Sequence, residues 1–129
     1  MPPDRRTISA EGAPAALGPY SHAVRSGDLV FLSGQTPLDP ATGKLVEGGL
    51  ESEVKQCMQN LEQVLTSIGL ITRNVVKTTV FVTDLNDLKM INDIYAHHFK
   101  KDPPARSIVE VRQLPLKAKI MIDAIAETY

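Results

Sequence analysis

The chain has one cysteine, Cys57, and no tryptophan. A single thiol excludes an internal disulfide and any metal cluster built on several thiolates. Cys57 falls in a helical apolar pattern, where a thiol serves as a small buried hydrophobe. Net charge is scarce too. The 14 Lys and Arg against 15 Asp and Glu leave a formal charge of −1. No basic field therefore points to nucleic acid or to an anionic membrane. No apolar run approaches the ~20 residues that span a bilayer, and Met1-Pro2-Pro3-Asp4-Arg5-Arg6 precedes no apolar signal segment. The histidines are poorly spaced for chemistry. His97 and His98 are adjacent, about 100° apart on a helix, rather than an i, i+4 metal pair, and His22 has no carboxylate near it in sequence. There is no Ser-His-Asp arrangement, zinc spacing or phosphate-binding glycine loop. These absences imply one soluble domain over residues 1–129, from a reducing compartment and most simply cytoplasmic. No metal, cofactor, nucleic-acid partner or membrane partner is expected.

What is present reads as alternating elements. Thr7–Ser9 suits a short edge strand. Gly18-Pro19-Tyr20 is a turn, and Tyr20–Arg25 with Leu29–Gln35 reads as a hairpin through Ser26-Gly27-Asp28. Val54, Cys57, Met58, Leu61, Val64, Leu65 and Ile68 recur at i, i+3, i+4, i+7, with Glu53, Lys55, Gln56, Gln59 and Glu62 between them. That spacing predicts an amphipathic helix of about five turns, ended by Gly69 as a left-handed cap. Val75–Val82 is β-branched and predicts a strand. Asp84–Asp87 offers caps for a second helix whose apolar face is Leu88, Ile91, Ile94, Tyr95 and Phe99. Strands are expected at 106–112 and 117–126. The order β-β-β-α-β-α-β-β predicts an α+β fold, a mixed sheet with two helices on one face.

Strand alternation addresses the other face. Ile120, Ile122, Ala124 and Ala126 form a clean apolar row, as do Val76, Thr78, Val80 and Val82 on their strand. The opposite rows are mixed: Lys119, Met121, Asp123, Ile125 and Glu127 on the last strand, Leu29, Phe31, Ser33 and Gln35 on the hairpin. Rows too apolar for water and too polar for a core suit a subunit interface, so a homo-oligomer is expected.

Arg106 opens the strand after Pro104-Ala105. Its planar fork suits a carboxylate or phosphate, and Glu110 on the same face stands ~13 Å away along an extended strand, which makes a direct pair difficult and favours an external anion. Ser33-Gly34-Gln35 offers a hydroxyl, an amide and a glycine that admits a ligand to the backbone. Tyr20 aims a phenol into a cleft or packs beside Pro19. Lys77, Thr79, Glu110 and Asp123 read as cross-strand pairing residues.

Ala13-Pro14-Ala15-Ala16-Leu17-Gly18-Pro19-Tyr20-Ser21, Ser33-Gly34-Gln35, Val76–Leu85, and Pro104–Val111 with Leu114-Pro115 and Ile122–Ala126 together resemble the YjgF/RidA family of enamine/imine deaminases. The resemblance runs from about Ile8 to Ala126. It implies a chorismate-mutase-like fold assembled as a homotrimer, with clefts between subunits. It also implies water-driven conversion of 2-aminoacrylate-type enamines and 2-imino acids (2-iminopropanoate, 2-iminobutanoate) to 2-keto acids and ammonia. No cofactor is implied, because an imine carbon is already electrophilic. By the same resemblance Arg106 holds the substrate carboxylate, while the Gly34 and Ile108 backbone and the Ser33 hydroxyl hold the reacting end. Tyr20 and Asn92 line the cleft. Met121 departs from the pattern, standing where the best-studied branch has a glutamate that handles water, and a thioether cannot shuttle a proton. Asp123 shares its face, but ~6.5 Å further along the strand. Ile108 stands where that branch often has cysteine. The alternatives are a non-catalytic carboxylate-binding regulator of the same fold and a ribonuclease or translation inhibitor, an activity associated with the family.

Overall fold

The structure, a computed structural model, describes residues 5–129. Six strands share one sheet: β1 (Arg5–Ile8), β2 (Ala23–Ser26), β3 (Leu29–Gln35), β4 (Val75–Val82), β5 (Ala105–Glu110) and β6 (Ile120–Glu127). Their spatial order is β1-β2-β3-β6-β4-β5. Every pair is antiparallel except β4–β5. A parallel pair needs a crossover, and α2 (Leu88–His98) supplies it; α1 (Gly49–Ser67) connects β3 to β4. The predicted α+β class and element order stand.

The core lies between the sheet and the two helices. Val54, Cys57, Met58, Leu61, Val64 and Leu65 are fully buried, as the spacing predicts, against Val30, Val80, Val82, Ile120, Ile122 and Ala126. Gly69 ends α1 with φ +75°, a conformation that costs a side-chain-bearing residue about 1–2 kcal/mol. Burial pushes the Cys57 thiol up, well above its ordinary range. It donates to the Gln35 carbonyl at 2.9 Å and is an inert core group. Ile91, Ile94 and Tyr95 on α2 and Phe99 just after it are buried, and the last two rings meet with centroids 4.7 Å apart. Asp84 caps the short 3-10 turn Leu85–Asp87, accepting from the Asn86 N–H at 2.9 Å, rather than α2 itself.

Several boundaries differ from the sequence reading for identifiable reasons. Tyr20, Ser21 and His22 are loop, not strand, because His22 turns inward to bind the chain upstream. The last strand starts at Ile120, not residue 117, since Pro115–Lys117 forms a 3-10 turn. The fifth strand ends at Glu110, and the first runs from Arg5 to Ile8.

Two bulges change the faces. Val75 pairs with Ala126 while Lys77 pairs with Ile125, so β4 carries one extra residue. Val75 is therefore buried beside Thr78, Val80 and Val82, and Val76 is turned out. Simple alternation places Val76 in the buried row instead. A second irregularity separates Leu32↔Ala124 from Gln35↔Ile122. It turns Gln35 into the core and leaves Ser33 and Gly34 partly exposed. A bulge inserts an unpaired residue and re-aims its neighbours. The face away from the helices carries Leu29, Phe31, Val76 and Val109, all exposed, with Phe81, Met121 and Ile125 half-buried among them.

Candidate functional site

The Ser33–Gly34 bulge borders a cavity of about 430 Å³, walled by the 14–22 loop, the end of β3, Phe81, Pro115 with Leu116, and Met121 with Asp123. Four polar side chains fix these walls, and three of them, His22, Asn60 and Glu53, are buried. His22 pins the loop: its Nδ1 accepts the Ala10 N–H at 2.7 Å, so the proton sits on Nε2, which donates to the Pro14 carbonyl at 2.7 Å. The Ser33 hydroxyl donates to the Ser21 carbonyl at 2.7 Å, and the Ser33 N–H to the His22 carbonyl at 2.9 Å. This lashes the bulge to the loop that carries Tyr20. From α1, Asn60 donates to the Thr36 and Leu38 carbonyls, each at 2.9 Å. Also on α1, Glu53 accepts the Lys119 N–H at 2.8 Å. One helix thus holds the chain on both sides of the cavity.

Met121 lies over Gly34. A Cβ built on Gly34 would stand 2.8 Å from the Met121 sulfur and 3.0 Å from its Cγ. The glycine is needed for this close approach, since its φ is not left-handed. Beside them, Asp123 is the only carboxylate among the described residues lining the cavity. It pairs across the sheet with Thr79. No cation among the described residues stands within 4 Å of its carboxylate. At the mouth, Leu116 and Lys117 hold φ of 57° and 59°, a strained left-handed pair next to the cavity wall.

Arg106 lies elsewhere. It pairs in register with Thr78, whose side chain is buried toward the helices. Its Nη1 donates to the Asn92 Oδ1 at 2.8 Å, and its guanidinium carbon sits 4.9 Å above the Tyr95 ring centroid. The Tyr95 hydroxyl is 2.7 Å from the Thr78 hydroxyl. Burial pushes the phenol up, opposed by the Thr78 hydrogen bond and by Arg106. Glu110 is not the guanidinium's partner; it accepts the Leu85 N–H at 3.0 Å. Ile108 follows on the same face, paired with Val80. The result is a cation on an aromatic plate with the rest of its fork uncommitted to any side chain among the described residues.

The structure thus sorts the expected site residues into two groups. Tyr20, Ser33, Gly34 and Met121 meet at the cavity. Arg106, Asn92 and Ile108 gather at the β5 edge, and none of them lines that cavity. Within one chain the two groups face opposite sides of the sheet. Sequence reasoning misses His22, Glu53 and Asn60. The last two sit on the apolar stripe of α1 at positions only 3% and 1% exposed, whereas the helical pattern assigns Glu53 to the solvated face. Their seven-residue spacing beside Cys57 and Val64 is the available signal.

A family profile described as Endoribonuclease L-PSP matches residues 10–128. The 2-iminobutanoate/2-iminopropanoate deaminase of Homo sapiens is 44% identical over 122 residues, covering 95% of this chain and 89% of that protein. The crystal structure of the Escherichia coli YjgF gene product superposes with a TM-score of 0.90 at 41% identity, over 96% of this chain and 99% of that one.

The chain belongs to the YjgF/RidA family.

A further member, E. coli TdcF, was solved with bound serine. It matches with a TM-score of 0.89 and 37% identity, over 95% of this chain and 98% of that one. The YjgF/RidA fold therefore accounts for the single six-stranded sheet and its two helices.

Proposed function

We propose that this protein hydrolyses 2-imino acids, and the enamines in equilibrium with them, to 2-keto acids and ammonia. The observation that carries the reading is the prepared cation. Arg106 is held by Asn92 and the Tyr95 ring before any ligand arrives, and its open fork fits a carboxylate. A deaminase among the relatives and a neighbour with bound serine, itself an α-carboxylate, support the same ligand class. With the carboxylate anchored, the imine carbon would lie beside the Ser33–Gly34 bulge. Tyr20 and the Ser33 hydroxyl can orient the nitrogen and the attacking water there.

The anchor and the cavity occupy opposite faces of one sheet, so a single copy does not bring them together. A homotrimer with clefts between subunits would, with Arg106, Asn92 and Ile108 of one copy facing the Tyr20–Ser33–Gly34 cavity of the next. The open face, with exposed Phe31, Leu29, Val76 and Val109, is the surface such an assembly would cover.

The test couples a threonine dehydratase, which releases 2-iminobutanoate, to the appearance of 2-ketobutyrate with and without this protein. Acceleration that is lost in Arg106→Ala supports the reading, and no acceleration sinks it. A second reading rests on Met121. The thioether over Gly34 cannot move a proton, and a binding protein for carboxylate metabolites would need none to move. Retained 2-ketobutyrate binding without acceleration would favour it.

A further inference from the structure

We propose that Asp123 is the catalytic acid/base of this site, doing the water chemistry from the strand position two residues beyond Met121. The inference rests on the deaminase reading above and deepens it. Elimination within the cavity carries the argument. Both His22 nitrogens are committed to backbone groups. The Ser33 proton is committed to the Ser21 carbonyl. Tyr20 offers a phenol, a donor rather than a base. Met121 covers Gly34 with carbon and sulfur. Asp123 is the one lining group that can both take and return a proton, and no cation among the described residues neutralises it. It projects from β6 on the same face as Met121, beside Phe81 and the bulge. The ~6.5 Å between alternate residues of a strand is within the span that one bound water and a shifted substrate can bridge.

The chemistry balances without any oxidant or reductant. Water adds to the carbon of the protonated imine: the C–O bond forms, the C=N pair moves onto nitrogen, and a water proton passes to the Asp123 carboxylate. Asp123 then protonates the amino nitrogen of the carbinolamine. The C–N bond breaks as the hydroxyl oxygen forms the carbonyl, and that hydroxyl's proton returns to Asp123. Ammonia leaves, and Asp123 finally releases the proton, giving a 2-keto acid and ammonium.

The experiment compares wild type, Asp123→Asn, Asp123→Glu and the double variant Met121→Glu/Asp123→Asn in the coupled 2-iminobutanoate assay, with 2-ketobutyrate binding measured on each. Asp123→Asn should lower kcat by about 10²–10⁴-fold, the usual contribution of a positioned acid/base, while 2-ketobutyrate affinity stays close to wild type. Asp123→Glu should keep much of the activity, and adding Met121→Glu to the Asp123→Asn variant should restore turnover. Wild-type turnover that survives Asp123→Asn overturns the proposal and leaves the deaminase reading standing. Loss of both turnover and binding in Asp123→Asn and Asp123→Glu alike assigns the residue a structural role and also overturns it. Wild type that binds 2-ketobutyrate but accelerates nothing overturns the deaminase reading itself.

Discussion

Replacing Gly34 by alanine puts one methyl group where the Met121 side chain already lies. The new Cβ would meet Sδ at 2.8 Å, Cγ at 3.0 Å and Cε at 3.1 Å, against ordinary contact from 3.4 Å. Three consecutive Met121 atoms are crowded, so bending the tip alone does not relieve the clash. The side chain must swing into the cavity or the strand must move. Overpacking costs about 1–3 kcal/mol, and the open cavity alongside places this site toward ~1 kcal/mol. The backbone opposes none of it, because Gly34 lacks a left-handed φ. Alanine there regains about 0.4–1 kcal/mol by stiffening the unfolded chain. In a Met121→Ala background the clash is gone and only that gain remains. The two substitutions should therefore couple by about 1–2 kcal/mol in a double-mutant cycle. Urea unfolding of the four proteins, at one fixed protein concentration because association would shift each midpoint, measures it. Additive behaviour would refute the packing of Met121 over Gly34. It would also remove the physical reason for a glycine at that place.

Three further outcomes follow from the contacts described. Tyr95→Leu removes the plate beneath Arg106 and should weaken 2-ketobutyrate binding by about 1 kcal/mol; Tyr95→Phe keeps the ring and should leave binding unchanged while costing about 1 kcal/mol of stability through the lost Thr78 contact. Titration calorimetry and denaturation separate the two. Asn60→Leu strands the Thr36 and Leu38 carbonyls and should cost about 2–4 kcal/mol in a urea melt. Lys117→Gly relieves a φ of 59° worth about 1–2 kcal/mol, less the glycine's entropy. Its Tm should rise by about 2–4 °C; a fall would mean the chain does not turn left-handed there.

Much of the fold is legible in the sequence because helix stripes and β-branched runs are strong periodic signals. The α1 stripe, the β4 run and the isolation of Arg106 from Glu110 all stand. Both bulges are invisible there for a physical reason. Alternation assumes one residue per step, and Val75-Val76 gives no hint which valine turns inward. The same holds for the break between Leu32 and Gln35, which moves Gln35 out of the row that alternation assigns it. The cavity's supports are hidden differently. His22, Glu53 and Asn60 bond to backbone groups, and backbone carries no letter in the sequence. Arg106 is legible as a cation with no partner on its own strand, but the plate beneath it is not: periodicity counts Tyr95 with the apolar face of α2, and its contact with Arg106 crosses from helix to sheet edge.

Three of the polar bonds that α1 sends outward bear on how this protein can be redesigned. Thr36 and Leu38 lie downstream of β3, Lys119 lies upstream of β6, and one helix grips all three through Asn60 and Glu53. Loops on either side cannot be exchanged, lengthened or shuffled independently, because each graft must preserve a bond partner on the same rigid rod. Residues 33, 34, 121 and 123 sit on β3 and β6, just outside those grips, and their side chains carry no such obligation to α1. A library aimed at new substrates would therefore vary Met121 and Phe81 on the strand floor, keep Ser33, Gly34 and Asp123, and leave the loops alone.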